Sequence, residues 1–307
     1  MDREYSIPNT LSLMNYRSRL YLLLLPYVLG TLLLVVLPAL FSFGLAFFTY
    51  DTLSPPEWVG WLNFRLVYYD ELFLLSIVNS LALVILPAPL RLIGAFLLAL
   101  LLWRGGKGLG FFRSTIFLPS VMPNAAYALA WLWILNPIFG PLNLTLRAFG
   151  LDAPAWLVEP EWAKIGLALA TLWQIGEGFL VSLAALHDIP RDVEDAARVD
   201  GATSFQYVSE IVIPMVSPIL FILLLRDAIL LLQESFVSTY LITDGGPYYA
   251  TFTLPYFVYE QAFALYSFGT AGAALWVLYG LAGIVVLGLF ILGKSWGVAT
   301  DEEAIVL

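Results

Sequence analysis

LYLLLLPYVLGTLLLVVLPALFSFGLAFF, residues 20–48, contains no Asp, Glu, Lys, Arg or His. A helix that crosses a bilayer needs about 20 mostly apolar residues, so this run is long enough to span one. Five more segments of this kind follow: from about Leu72 to Trp103, Thr115 to Leu135, Ala163 to Leu186, Ile213 to Leu232 and Gly269 to Leu292. Arg17 and Arg19 precede the first segment as they would a secretory leader. It is too long for one and lacks a small-residue cleavage site, so a retained span is expected. Pro38, Pro87 and Pro89 fall inside the first two segments, and kinks are expected there. Membrane helices tolerate proline where neighbours satisfy the freed carbonyls.

Composition points the same way. Of 307 residues, 61% are hydrophobic and 12% charged, and the mean hydropathy is +0.86. A water-soluble chain of this size could not cover its surface with so few charges. The expected fold class is all-α: a polytopic protein of the inner (cell) membrane with six transmembrane helices. There is no cysteine, and His187 is the sole histidine. That removes disulfides, thiolate catalysis and a Cys- or His-based metal site. A net charge of −9 without a basic stripe argues against a nucleic-acid partner.

Lys and Arg in short loops set orientation. Arg3, Arg17, Arg19, Arg104, Lys107, Arg113, Arg191, Arg198 and Lys294 fall on one side, and only Arg65, Arg147 and Lys164 on the other. Both termini are therefore expected in the cytoplasm. The chain divides into a cytoplasmic tail (1–19), a transmembrane domain (20–293) that includes a cytoplasmic loop (187–212), and a second cytoplasmic tail (294–307). Trp58, Trp61, Trp156 and Trp162 lie in the outer loops, as an interfacial aromatic belt would. Asp244-Gly245-Gly246-Pro247 reads as a tight turn.

The loop between the fourth and fifth segments reads HDIPRDVEDAARVDGATSFQYVSEIVIPM, residues 187–215. Pro190 suits the first position of a helix and Asp188 its cap. Asp192, Glu194 and Asp195 favour the positive end of the helix dipole. Gly201 ends this helix, because glycine accepts a left-handed conformation. Thr203 and Gln206 form a capping box for a second short helix, and Pro214 marks the start of the fifth span. Ala196, Ala197, Val199, Phe205, Tyr207 and Val208 are apolar groups on a loop with no core of its own, so contact with a partner is expected.

This stretch resembles the EAA loop of ABC importer permeases: Glu-Ala-Ala, three residues, Gly, nine residues, Ile-x-Leu-Pro. Here Asp195-Ala196-Ala197, Gly201 and Ile211-Val212-Ile213-Pro214 meet that spacing in full. Asp195 keeps the charge of the glutamate with a shorter reach, and Ile213 replaces leucine. Nearly the whole chain is similar to the sugar-importer branch, the maltose and glycerol-3-phosphate type. The matching residues are Asn79-Ser80, Gly110-Phe111-Phe112-Arg113, Phe117-Leu118-Pro119 with Pro123, Trp131 with Asn136-Pro137, Gly140 and Asn143, and Thr243-Asp244-Gly245-Gly246-Pro247. The resemblance implies a heterodimer with a second permease subunit, two ATPase subunits docked on the cytoplasmic loops, and an extracytoplasmic solute-binding protein. It also implies that Asp195, Ala196, Ala197, Gly201, Ile211 and Pro214 couple to the ATPase through a coupling helix.

The chain lacks G-x-x-x-x-G-K-[ST], H-E-x-x-H and G-x-S-x-G. No catalytic residue, cofactor or metal is expected, and ATP hydrolysis falls to partner subunits. Ionisable residues within spans cost about 2.5–3.5 kcal/mol each on insertion scales, which singles out Arg91, Glu177, Arg226, Asp227 and Glu234. Gln174 and Glu177 share one helical face, either lining a pathway or forming an interhelical hydrogen-bond pair. Arg226 with Gln233, and Asp227 with Glu234, make a polar strip on the fifth segment. That strip either lines a cavity, with Tyr127 and Trp131 opposite, or is structural, with Arg226 and Asp227 neutralising each other or bridging to the partner. The expected function is the permease subunit of an ATP-driven sugar importer, embedded in membrane lipid. A glycerol-3-phosphate or other polar-solute importer of the same family is the alternative; a proton-coupled secondary transporter or a membrane enzyme fits less well.

Overall fold

Caps and prolines decide where the helices begin and bend. The computed structural model describes residues 16–105 and 108–294. The tail positions 1–15 and 295–307, with Arg3 and Lys107, lie outside the described residues. Among the described residues, four helices are long and apolar enough to cross a membrane: Leu20–Leu45, Glu71–Trp103, Ser204–Thr243 and Phe268–Gly293. Two bent pairs bring the number to six if each pair is one span. The chain is helical almost throughout. Its described strand pairing is a two-residue ribbon in the loop after the first segment, with Phe48 opposite Trp58 and Thr49 opposite Glu57.

The first helix carries a π-helical turn at Leu32–Val36, just before Pro38. The second starts at Asp70, whose carboxylate accepts from the amides of Leu72 and Phe73. It breaks at Leu86 and restarts with Pro87 at its first position, where a missing N–H costs nothing.

The third segment is not the straight span expected over 115–135. Leu109–Val121 and Asn124–Ile134 meet at 102°. Pro123 is the cause, because the residue before a proline is pushed out of the helical region, and Met122 is extended at φ −68°, ψ 138°. The fourth segment also bends, by 44°, between Pro160–Leu172 and Gly176–His187.

The fifth helix is longer than the expected 213–232. Thr203 and Gln206 do form the capping box, but the helix they start runs unbroken into the span. There is thus no separate second short helix. A π stretch, Tyr207–Val212, precedes Pro214, which has no N–H to give. The loop helix itself is Arg191–Val199, with Pro190 as its N-cap rather than its first residue and Asp188 capping the helix before it.

Asparagines hold several connecting loops in place. Asn79 donates to the carbonyls of Tyr249 and Phe252, and Ser80 accepts from Leu254 N. Asn143 donates to Pro137 O and Pro154 O while accepting from the Trp156 indole. Asn136 caps the turn at Ile138 and Phe139. Buried backbone carbonyls need donors, so these motif residues are placed by the loops they tether.

A charged cavity and an exposed loop helix

Four elements converge on a polar cavity of about 100 Å³: the second, third, fourth and fifth segments. Its charged and amide lining is Arg91, Gln174, Glu177, Arg226 and Glu234, with Ser120, Asn124, Tyr127, Thr171, Ser235 and Ser238 completing the polar wall.

Arg91 and Asp227 are the keystone. Both are buried, at 7% and 5% exposure, and Arg91 Nε lies 3.4 Å from Asp227 Oδ2. Arg91 also donates to Gln174 O at 2.7 Å, tying the second helix to the bend in the fourth. Arg226 donates to Asp227 Oδ1 at 3.1 Å and is ion-paired with Glu177. Both guanidiniums are thus already engaged by carboxylates, while Glu234 takes part in none of the described ion pairs. The Ser235 hydroxyl is buried without a partner and lines the cavity.

The fourth segment packs closely on the third at its bend. Gly176 N donates to Ser120 Oγ, and a Cβ on Gly176 would stand 2.7 Å from Phe117 Cα and 2.8 Å from Ile116 O. Only a residue without a side chain lets these backbones approach so closely.

The structure brings Tyr127, Gln174, Glu177, Arg226 and Glu234 together and leaves two candidates apart. Tyr127 is buried, with its hydroxyl donating to Ala170 O at 2.6 Å. Trp131 does not line the cavity itself; its ring lies 6.3 Å from that of Tyr127, and it packs with Leu83, Leu135 and Leu167. Gln233 is exposed outside the lining. Ser120, Asn124, Thr171, Ser235 and Ser238 were not anticipated, since isolated hydroxyls and amides in apolar helices give no signal until a cavity gathers them.

The loop helix sits against the body of its own chain. Ala197 and Tyr207 are buried with Phe96, Phe179, Leu186 and Val212. Tyr207 stacks on Trp103 at 6.4 Å between ring centroids. Glu194 accepts from Arg104 at 3.1 Å and from Arg198 at 2.7 Å. Part of the apolar surface that seemed to need a partner therefore has one within the chain. What remains outward is Asp195, Ala196, Val199 and Phe205, the last two 87% and 80% exposed. Gly201 has φ +77° and ends the helix as the spacing requires. Ile211 is half-buried and Pro214 exposed at the start of the long helix.

Residues 91–293 match the family described as binding-protein-dependent transport system inner membrane component. The chain is 32% identical over 283 residues to the probable ABC transporter permease protein YesP of Bacillus subtilis (strain 168), covering 90% of each. It is 31% identical to the sn-glycerol-3-phosphate transport system permease protein UgpA of Agrobacterium fabrum, covering 82% of this chain and 87% of that one. A solved bacterial alginate ABC transporter, in complex with an alginate pentasaccharide-bound periplasmic protein, contains a chain of the same fold. Its TM-score is 0.75 at 22% identity, over 91% of this chain and 94% of that one. A family match over residues 91–293 and a relative 32% identical over 90% of this chain place it in a family: the chain belongs to the binding-protein-dependent transport system inner membrane components, the membrane-embedded permeases of ABC transporters.

Proposed function

We propose that this chain forms half of the translocation pathway of an ATP-driven sugar importer, with a second permease subunit supplying the other half. Two ATPase subunits supply energy, and an extracytoplasmic binding protein delivers cargo. The observation that carries this reading is the division of the 187–214 loop. One side is buried in the chain's own core, and the other presents Asp195, Ala196, Val199 and Phe205 outward. A helix fixed to the span bundle and open to a docking protein can pass motion between the two.

Gly201→Val tests it. The site has open space but a left-handed backbone, so the cost is strain of about 1–2 kcal/mol. The expected result is normal membrane insertion with transport reduced and ATPase activity no longer driven by cargo. Asp195→Lys, a charge reversal on the exposed side, is expected to weaken ATPase docking. Full transport by both variants overturns the coupling role.

Uncharged sugar is favoured over glycerol phosphate as cargo because the cavity's two guanidiniums, Arg91 and Arg226, are already paired with Asp227 and Glu177, and Glu234 adds a further carboxylate to the lining. Glu234→Gln is expected to lower cargo-stimulated ATPase activity several-fold while assembly persists. A hydrogen bond to a charged group contributes about 1.5–3 kcal/mol. Unchanged stimulation removes Glu234 from the pathway.

Both termini are placed in the cytoplasm in this reading, with 187–212 on the same side. The chain has no native cysteine, so single cysteines report on sidedness. Glu57→Cys and Asp152→Cys should react with an impermeant thiol reagent from outside intact cells, and Asp200→Cys only after lysis. Outside labelling at 200 inverts the topology.

A further inference from the structure

A second crevice lies apart from the charged cavity, where the second helix breaks against the start of the fourth segment. It encloses about 170 Å³ and is walled mostly by apolar groups, among them Leu83, Leu86 and Ile165. Three polar groups reach it: Asn79, Thr251 and Lys164. The neighbouring surface is apolar and exposed at Val78, Ile85 and Leu86, which is a surface suited to hydrocarbon rather than water.

One of those polar groups is buried and unsatisfied, and another is, among the described residues, an exposed, unpaired cation. Asn79 is only 3% exposed and spends both amide hydrogens on Tyr249 O and Phe252 O. Its Oδ1 is buried with no partner. An orphaned acceptor of this kind costs about 1–3 kcal/mol until a donor arrives. Lys164 makes no ion pair among the described residues; Glu161 is the nearest carboxylate on its helix, one turn back. It stands one turn inside the helix Pro160–Leu172, near the end where Trp156 and Trp162 pack together. Near the end of a spanning helix a lysine reaches for the headgroup layer.

We propose that this crevice binds one anionic phospholipid whose headgroup carries a hydroxyl. Lys164 takes the phosphate, the headgroup hydroxyl donates to Asn79 Oδ1, and an acyl chain lies along Leu83, Leu86 and Ile165. Net charge and donor are both needed, so phosphatidylglycerol satisfies the site and phosphatidylcholine, which has neither, does not. The occupied crevice would wedge the break at Leu86 and Pro87 and fix the outer loop that Asn79 holds.

Native mass spectrometry of the full chain, purified and exchanged into mixed phosphatidylglycerol and phosphatidylcholine, tests this. The expected result is a single retained phosphatidylglycerol, favoured about fivefold or more: both lipids offer Lys164 a phosphate, but only phosphatidylglycerol lacks a choline cation there and adds the hydroxyl bond to Asn79 Oδ1. Lys164→Gln removes the charge at an exposed position, and Ala82→Phe plugs the exposed mouth; neither disturbs the core. Each should abolish the preference while helical content is unchanged. Equal retention of the two lipids, or a preference that survives both variants, overturns the site. So does a preference lost only together with helical content.

Discussion

Asp227→Ala should be the most damaging single truncation in the chain, lowering stability by about 3–5 kcal/mol. The reason is what it leaves behind. Arg91 is 7% exposed, and Asp227 is its carboxylate partner. With that partner gone, a guanidinium is buried with only the Gln174 carbonyl as acceptor. A buried pair is itself near break-even against well-packed apolar groups. The double replacement Arg91→Met with Asp227→Leu should therefore recover most of the loss. Thermal unfolding in detergent of the single and double variants reads this directly. A single variant that unfolds within a degree or two of the parent would mean that Arg91 is solvated, and the keystone assignment would fall. Recovery of stability without recovery of transport would place the pair in the pathway rather than only in the scaffold.

Gly176→Val should have the second largest effect. Its Cβ would meet Phe117 Cα, Ser120 Oγ and Ile116 O, all within 2.8 Å. Two of those atoms are backbone and cannot swing aside. Overpacking costs about 1–3 kcal/mol where neighbours can adjust, and here the upper end is expected. The displacement would also carry Gln174 and Glu177, so transport should fall further than stability does. Gly94→Ala is the control, because its added methyl meets only Ile175 Cδ1 at the ordinary distance of 3.8 Å. It should be nearly neutral in both assays. Similar behaviour of the two variants would show that the third and fourth segments are not closely apposed.

Apolar length and capping chemistry were legible residue by residue. The Thr203–Gln206 box, the turn at Gly201 and the restart at Pro87 all follow from local rules. Breaks inside the third and fourth segments did not show in apolar length, since a hydrophobic sum is the same for one straight helix and for two bent halves. The third carried its own signal in Met122-Pro123. The fourth has no proline at its bend; Gly176 is informative only once Phe117 is known to lie against it. In the cavity, the presence of charges within apolar runs was readable, but their pairing was not. Gln233 shows the limit of helical arithmetic. Seven residues fall about 20° short of two full turns. Arg226 sits at one edge of the cavity-facing stripe that continues through Leu230, Glu234 and Ser238, so that Gln233 falls just beyond the edge. Tyr207 and Ala197 marked the loop as sticky, and only the fold reveals that the first surface they meet is their own.

The unbroken helix from Ser204 to Thr243 has forty residues. At 1.5 Å per residue it is about 60 Å long, roughly twice the thickness of the hydrocarbon it crosses. In the proposed importer it would serve as a lever. One end begins at the Thr203 cap beside the 187–212 loop, the middle carries Arg226, Asp227 and Glu234 past the cavity, and the far end stops at the Asp244 turn. Both ends are π-helical, at Tyr207–Val212 and Thr239–Thr243, while the shaft between is regular. A rod of this length converts a tilt of about 10° into a sweep of about 10 Å at its tip. If the 187–212 loop docks the ATPase as proposed, a push on it would reach the cavity and the far end of the helix in the same stroke.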